Sequence, residues 1–392
     1  MKPLRIALVR QRYTAFGGAE RFVERAVAAL RGQGAQLTVV TRAWPEQGGG
    51  ALICNPFYLG NVWRDWSFAR CVCEALQERD FDLVQSHERI PCCDVYRAGD
   101  GVHREWLRQR RRVLGPLGRL GLALNPYHRY TLAAEKRLFA SPRLKAVICN
   151  SHLIAREISD CFGLPQDRLH VIYSGVDTTA FHPGLKQQRQ AVRARYAIPD
   201  EAPLFLFVGS GFERKGVSAL LQALAHLPPQ AHLLIVGKDR KAAAFQAQAA
   251  RLGLAQRAHF TGAQQDVKPF YGAADVFVLP TLYDPFPNAA LEAMAAGLPV
   301  ITSEKSGAAE MVEEGSNGFV RDALDIDGLA AAMGRLLDPA QAAAMGGVSR
   351  RIVEPCNLEA MGARLVALYR ELAEAPDVPC RDAEYPVQTN PR

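Results

Sequence analysis

The segment from Thr281 to Pro299 places two carboxylates at a spacing that binding chemistry can use. Asp284 ends a loop that leads into a helix opening near Pro287, and proline suits a first helical turn. Glu292 follows eight residues later, within that helix. Free N–H groups around Phe286, Asn288 and Ala289 would face an anion, while the two carboxylates can accept hydrogen bonds from hydroxyls. A capped helix with a surface glutamate is the plainer reading of the same residues.

A second constellation, Gly209-Ser210-Gly211-Phe212-Glu213-Arg214-Lys215-Gly216, follows an apolar run. Arg214 offers a bidentate fork and Lys215 a point charge, a pair able to neutralise a diphosphate. The glycines nearly spell a P-loop, but Val217-Ser218 stands where Lys-Ser/Thr is required, which argues against an NTPase. A third element, Gly17-Gly18 after the first predicted strand, lets backbone N–H groups approach a phosphate or sugar. It lacks G-x-G-x-x-G, so a dinucleotide site is disfavoured, and an ordinary tight turn is the alternative. Asp100, His103 and His87 fall at predicted strand ends and are further site candidates; a structural hydrogen bond is the alternative for each, and more so for His87. Asp325-Ile326-Asp327 matches the D-x-D pattern of metal-dependent transferases, yet it opens a predicted helix and reads as a cap.

These residues need strand ends to hold them, and the chain supplies them. Short apolar runs rich in β-branched residues alternate with helical patterns, the signature of parallel sheets built from βαβ units. Predicted strands are 4–9, 36–41, 82–86 and 146–150, then 204–209, 232–237, 275–280 and 299–303. The first helix, after Gly18, would show Val23, Ala26, Val27 and Leu30 on one face. The pattern breaks at the Pro/Gly and basic stretch after 182. The expected organisation is an N-terminal domain over 1–182, a linker over 183–200 and a C-terminal domain over 201–357. A final helix over 358–375 and an unstructured tail over 376–392 complete it.

The 392 residues are 48% apolar and 22% charged, the balance of a globular chain of two domains. The N-terminal apolar stretch is too short for a signal peptide, so the protein is expected to stay in the cytoplasm. Nine cysteines without paired metal-ligand spacing read as reduced thiols, with no zinc site. The net charge of +7 is concentrated in residues 101–140, which hold nine basic and two acidic side chains. Arg108, Arg110, Arg111 and Arg112 beside Trp106, Leu107, Leu117, Leu120 and Leu124 suit a segment lying on an anionic membrane surface; a solvated basic helix is the alternative. Few aromatics alternate with those arginines, which disfavours nucleic acid.

Taken together, F-G-G at 16–18, the G-S-x-F-x-R-K-G turn, A-A-D-V-F-V-L-P-T, the E-x7-E-like element at 284–292 and E-x4-E-G-S-N-G at 310–318 resemble the retaining, nucleotide-sugar-dependent glycosyltransferases of the GT-B fold, family 4 type. Within them the chain is similar to the lipopolysaccharide core glucosyltransferase group. The resemblance implies an α/β architecture of two Rossmann-like doubly wound domains facing a cleft. It implies a hexosyl transfer from a UDP-sugar co-substrate to a glycolipid acceptor, with no metal or other cofactor, at the inner face of the cytoplasmic membrane. Lys215 and Arg214 would hold the donor diphosphate, Glu292 the ribose hydroxyls and Asp284 those of the transferred sugar. Gly17, Gly18, Gly209 and the turn Phe286 to Ala289 would complete the donor contacts, and Asp100 and His103 would join the catalytic group. Asp284 departs from the family, which usually has Glu there, and Ser210 stands where many relatives carry Arg. A non-catalytic sugar- or nucleotide-binding protein on the same fold, or a transferase for another surface polysaccharide, is the rival reading.

Overall fold

The computed structural model describes residues 4–12, 35–43 and 51–374. Two parallel sheets organise them. The first contains β1 (Arg5–Val9), β2 (Gln36–Thr41), β3 (Ala51–Ile53), β4 (Leu83–Ser86), β5 (Val95–Arg97), β6 (Ala146–Cys149) and β7 (Leu169–Val171), in the order β3-β2-β1-β4-β5-β6-β7. The second contains β8 (Leu204–Val208), β9 (His232–Val236), β10 (Ala258–Gly262), β11 (Val276–Leu279), β12 (Val300–Ser303) and β13 (Gly318–Arg321), in the order β10-β9-β8-β11-β12-β13.

Helices cover the sheets, so the central strands are apolar on both faces, as in LFLFV of β8, where every residue is buried. Each sheet has one place where the chain reverses its direction of travel: between β1 and β4, and between β8 and β11. Crevices at such switch points are where open α/β sheets bind ligands. The fold is therefore the expected pair of doubly wound lobes.

The last helix, Leu358–Glu374, returns to the first lobe. Met361, Leu365, Leu368 and Tyr369 pack there against Ile6, Leu8, Leu83 and Ile148, and the Tyr369 hydroxyl donates to Gln85. This is the stripe read from the sequence. The chain crosses between lobes twice at one place, where Val176 bridges Asn357. Gly175 has to be glycine, because a Cβ would lie 2.8 Å from the Asn357 carbonyl oxygen.

Two expectations need correction. Residues 183–200 are no free linker: a 3₁₀ turn at Pro183–Gln188 and the helix Arg189–Arg195 pack on the helix Lys268–Ala273. Leu185, Val192 and Ile198 are buried there. Arg193 is fully buried, pairing with Asp275 at 2.8 Å and donating to the carbonyls of Ala273, Pro199, Asp200 and Ala202. Those apolar anchors hide within a polar composition. Second, the cysteines are not all free thiols, since Cys73 and Cys92 form a disulfide. It ties the helix Gly60–Gln77 to the connection between β4 and β5, two elements that the sequence alone does not bring together. Gly17, Gly18, the predicted first helix and the tail from 376 lie outside the described residues.

Candidate active site at the lobe interface

The loops after β8 and β11 meet at the switch point of the second lobe. Gly216 has φ of +77°, and a Cβ there would stand 1.9 Å from the Pro280 carbonyl oxygen. Only glycine allows the two loops to approach so closely. The approach is fixed by Leu282 N–H donating to the Arg214 carbonyl at 2.8 Å and by Thr281 Oγ1 donating to the same oxygen at 3.0 Å. Asp284 is then anchored through its backbone, its N–H on the Lys305 carbonyl and its carbonyl taking the Gly307 N–H, both at 2.9 Å.

This frame brings Arg214, Lys215 and Asp284 together. Lys215 Nζ lies 2.5 Å from Asp284 Oδ2, and Arg214 Nη1 lies 3.3 Å from the same oxygen while donating to the Tyr283 carbonyl at 2.8 Å. Lys215 and Asp284 are 9% and 6% exposed, so each would carry an unfavourable charge without the other. Burial pulls the Lys215 ammonium below its ordinary range against the pull of Asp284. Burial pushes the Asp284 carboxyl up, but Lys215 and Arg214 outweigh it and hold it below the usual range. With two basic side chains and one acidic one, the cluster has a formal charge of +1.

The helix Asn288–Ala295 starts beside this cluster with Pro287 as its N-cap and no side chain capping it. Its dipole adds positive potential next to Lys215. Gly209 lies over the Lys215 stem. Phe286 is buried against Tyr173, and Asn288 and Ala289 are half-buried at the helix start. Glu292 is 8% exposed and accepts a hydrogen bond from Tyr271 at 3.0 Å, which orients it.

In the first lobe a cavity of about 250 Å³ opens at the β1/β4 switch point. Arg10, Gln11, Arg12, Arg64, Asp65, Glu88, Arg89, Asp100, Tyr127 and Tyr130 line it. Asp100 is exposed into this space, 3.8 Å from Arg89. His103 is not among the lining residues. Its N–H caps onto Glu135 at 2.9 Å and its Nε2 meets His128 Nδ1 at 3.1 Å. Burial, then Arg89 and His128, push its pKa down to about 3. His87 is buried and meets Gln85 at 3.0 Å. Asp325 caps the helix Ile326–Gly334 by accepting the Gly328 N–H at 2.9 Å, as its position suggested. Among the described residues no group of three or more His, Cys, Asp or Glu is arranged to hold a metal.

The residues that sequence reasoning missed are those that join the lobes. Tyr283, adjacent to Asp284, enters the first lobe's core and donates to Glu157 at 2.7 Å while accepting the Val102 N–H at 2.8 Å. Lys305 pairs with Glu157 at 2.9 Å. Glu310 accepts the N–H groups of His152 and Leu153 at 3.0 and 2.6 Å, capping the helix His152–Phe162 from the other lobe. Arg112 grips Asp322 with two bonds of 2.8 and 2.9 Å. The loop of Asp100 is thereby held against the loop of Asp284: a Cβ on Gly101 would come 2.3 Å from Tyr283 Oη and 2.8 Å from Pro285 Cγ.

Two Rossmann-like lobes, a cationic switch-point site in the second and a cavity at the switch point of the first define the GT-B class. The chain is a GT-B glycosyltransferase: residues 16–180 match the family profile "Glycosyltransferase Family 4" and residues 202–339 match "Glycosyl transferases group 1". It is similar to the lipopolysaccharide glucosyltransferase WaaG of Escherichia coli K12, with 27% identity over 80% of this chain and 84% of that one. The crystal structure of WaaG, a glycosyltransferase involved in lipopolysaccharide biosynthesis, superposes with a TM-score of 0.80 at 24% identity, covering 93% of this chain and 99% of that chain. HepE of Anabaena in complex with UDP-glucose gives a TM-score of 0.74 at 20% identity, covering 94% and all of the respective chains.

Proposed function

We propose that this protein transfers a hexosyl group from a UDP-sugar to a hydroxyl of a glycolipid acceptor, with retention and without a metal ion, in the assembly of a lipopolysaccharide core at the inner face of the cytoplasmic membrane. The observation that carries the reading is the cluster of buried Lys215 and Asp284 with half-buried Arg214, beside the uncapped helix at Asn288, placed at the β8/β11 switch point. Its net positive charge suits a diphosphate, and basic groups take the part a cation plays elsewhere. The similarity to a named lipopolysaccharide glucosyltransferase supports the acceptor class, and the likeness to a fold that binds UDP-glucose supports the carrier.

In this mechanism the C1–oxygen bond to the diphosphate breaks while the acceptor oxygen bonds to C1 from the same face. The acceptor proton passes to the departing diphosphate oxygen, so no dedicated strong base is required. Lys215, Arg214 and the helix N-terminus stabilise the charge developing on the leaving group. Glu292, oriented by Tyr271, accepts from the ribose hydroxyls. Asp284 lies against Lys215, so a bound diphosphate shares that ammonium with it, leaving the second carboxylate oxygen for a sugar hydroxyl. Asp100 faces the acceptor side across the Tyr283 loop.

The test is release of nucleotide diphosphate from a panel of UDP- and GDP-sugars with and without a lipopolysaccharide-derived acceptor. Acceptor-dependent UDP release, unaffected by EDTA and retained in the anomeric configuration of the donor, is expected. Loss of activity with EDTA and its return with Mg²⁺ or Mn²⁺ would overturn the metal-independent part. No turnover of any donor would leave a binding protein on this fold.

A further inference from the structure

The described residues expose ten large apolar side chains, and their distribution is not even. Five of them, Ile53, Phe57, Leu59, Trp63 and Trp66, lie within residues 53–66. Four more, Val113, Leu117, Leu120 and Leu124, lie within residues 113–124, and the tenth, Leu324, is two residues from Asp322, the partner of Arg112. Phe57 and Leu59 are each 77% exposed, and Leu117 is 85% exposed. Exposure of this kind on a water-soluble surface marks an interaction site.

Both groups are built rather than loose. Phe57 and Trp63 stack edge to face with ring centroids 5.5 Å apart. Trp63, Trp66 and Arg70 share one face of the helix Gly60–Gln77, with the Arg70 guanidinium 5.9 Å from the Trp66 ring. Leu117, Leu120 and Leu124 form one stripe on the helix Pro116–Leu124, whose other face is anchored by buried Leu122. The elements that carry the two groups run into the walls of the first lobe's cavity. Arg64, Asp65 and Phe68 share the helix of Trp63 and Trp66, and Tyr127 and Tyr130 open the helix after the second group. The helices Gly60–Gln77 and Pro126–Phe139 pack on each other, and Asp65 and Tyr127 line the same cavity, so the two walls stand side by side.

We propose that residues 53–66 are a second, aromatic membrane contact that acts with the helix Pro116–Leu124, the two straddling the mouth of the cavity so that it opens onto the lipid headgroup layer. Charge selects a bilayer as the occupant. The flanking residues 101–140 carry seven more positive than negative charges, so two copies meeting through this face would set like charges together, whereas anionic headgroups neutralise them. Tryptophan and arginine on the rim of an apolar surface are suited to the interface between headgroups and acyl chains. The sequence reading contained only the second group; the first emerges from the folded surface. The proposal rests on the glycolipid reading for its purpose but is tested apart from it.

The experiment uses the full chain with vesicles of phosphatidylcholine, with and without about a third phosphatidylglycerol. The double variant Phe57→Ser, Leu59→Ser is expected to bind the anionic vesicles about tenfold more weakly than wild type, with its thermal midpoint unchanged. Bromine-labelled lipids should quench tryptophan fluorescence of the wild type, and the double variant Trp63→Phe, Trp66→Phe should lose most of that quenching. Equal vesicle affinity in the serine variant overturns the proposal, as does quenching undiminished by loss of both tryptophans. Concentration-dependent dimerisation abolished by the serine variant, with vesicle binding intact, assigns the patch to a second copy and overturns it as well. Vesicle binding through both groups by a chain that transfers no sugar to a lipid-linked acceptor leaves this contact standing and removes the glycolipid reading instead.

Discussion

The phenol of Tyr283 reaches out of one lobe and donates to the Glu157 carboxylate of the other at 2.7 Å. The same oxygen accepts the Val102 N–H at 2.8 Å, so a single side chain joins the Asp284 loop to the Asp100 loop. Burial pushes the Tyr283 phenol well above its ordinary range, and Glu157 adds to the shift, so it remains a donor throughout the working pH range. Replacing it by Phe leaves the buried Val102 N–H unpaired, a loss of about 1–3 kcal/mol of stability. Tyr283→Phe is expected to bind UDP with unchanged affinity, because the donor loops belong to the second lobe, and to lower turnover about tenfold. Gly101→Ala should do the same by steric means, since its Cβ would meet the phenol and its φ is +69°. Equal turnover in both variants would show that the lobes are aligned elsewhere.

That relationship also shows what the sequence did and did not disclose. The eight strands predicted from apolar runs are all present, because a strand buried on both faces has to be almost continuously apolar. Four of the five strands that escaped, β3, β7, β10 and β13, are sheet edges with half-buried patterns, and β5 has only three residues. Arg214, Lys215, Asp284 and Glu292 were legible because local spacing puts them at strand and helix ends. Tyr283, Glu157, Lys305 and Glu310 were not, because their partners are 126 to 181 residues away and only the packing of the lobes brings them together. Arg89 could have been found beside His87 in S-H-E-R-I, yet its contact with Asp100 depends on how two loops of one lobe converge.

The pair of Lys215 and Asp284 gives a prediction with two readouts. Lys215→Ala should lower turnover by at least about 100-fold, as removal of an electrostatic donor contact in a dry cleft does. Asp284→Asn should lose most activity as well, and its stability should report the ion pair. The folded Asp284 pKa lies below the unfolded value, so the carboxylate contributes stability that is present above about pH 4 and is lost as pH falls through the folded pKa. The difference in thermal midpoint between wild type and Asp284→Asn should therefore be constant from about pH 5 upward and shrink below about pH 4. A constant difference down to pH 3 would mean that the carboxylate is not held by charge.

His103 is predicted to take no part in proton transfer. With its pKa pushed down to about 3 by burial, Arg89 and His128, the ring is neutral across the range where a histidine acid or base would titrate. The kcat/KM profile of His103→Gln should keep the shape of the wild-type profile between about pH 5 and 8. Disappearance of a limb near pH 6 to 7 in the variant would restore a catalytic role.

The arginines of the helix His103–Arg112 divide into two functions by their partners. Arg112 holds Asp322 with two bonds, and Arg110 lies 3.9 Å from Glu213, so both face the second lobe. Arg108 and Arg111 are exposed. The Arg112–Asp322 pair is about a third exposed on each side, and such pairs contribute roughly 0.2–1 kcal/mol, too little to matter for overall stability. It spans the boundary between the lobes, however, and there a small energy is enough to change how far apart the lobes sit on average. Arg112→Glu should therefore leave the thermal midpoint within about 2 °C of wild type while lengthening the mean distance between fluorophores placed one on each lobe. Asp322→Arg in the same chain should restore that distance by recreating the pair with its charges exchanged. Arg108→Glu, Arg111→Glu should leave the distance alone and weaken binding to anionic vesicles, with the loss greatest at low salt because screening shortens the reach of exposed charges. The measurement that decides is the crossed one: if the Arg112 variant loses vesicle binding as much as the Arg108, Arg111 variant does, or if charge exchange with Asp322 fails to restore the distance, the helix acts as one basic surface and the division is wrong.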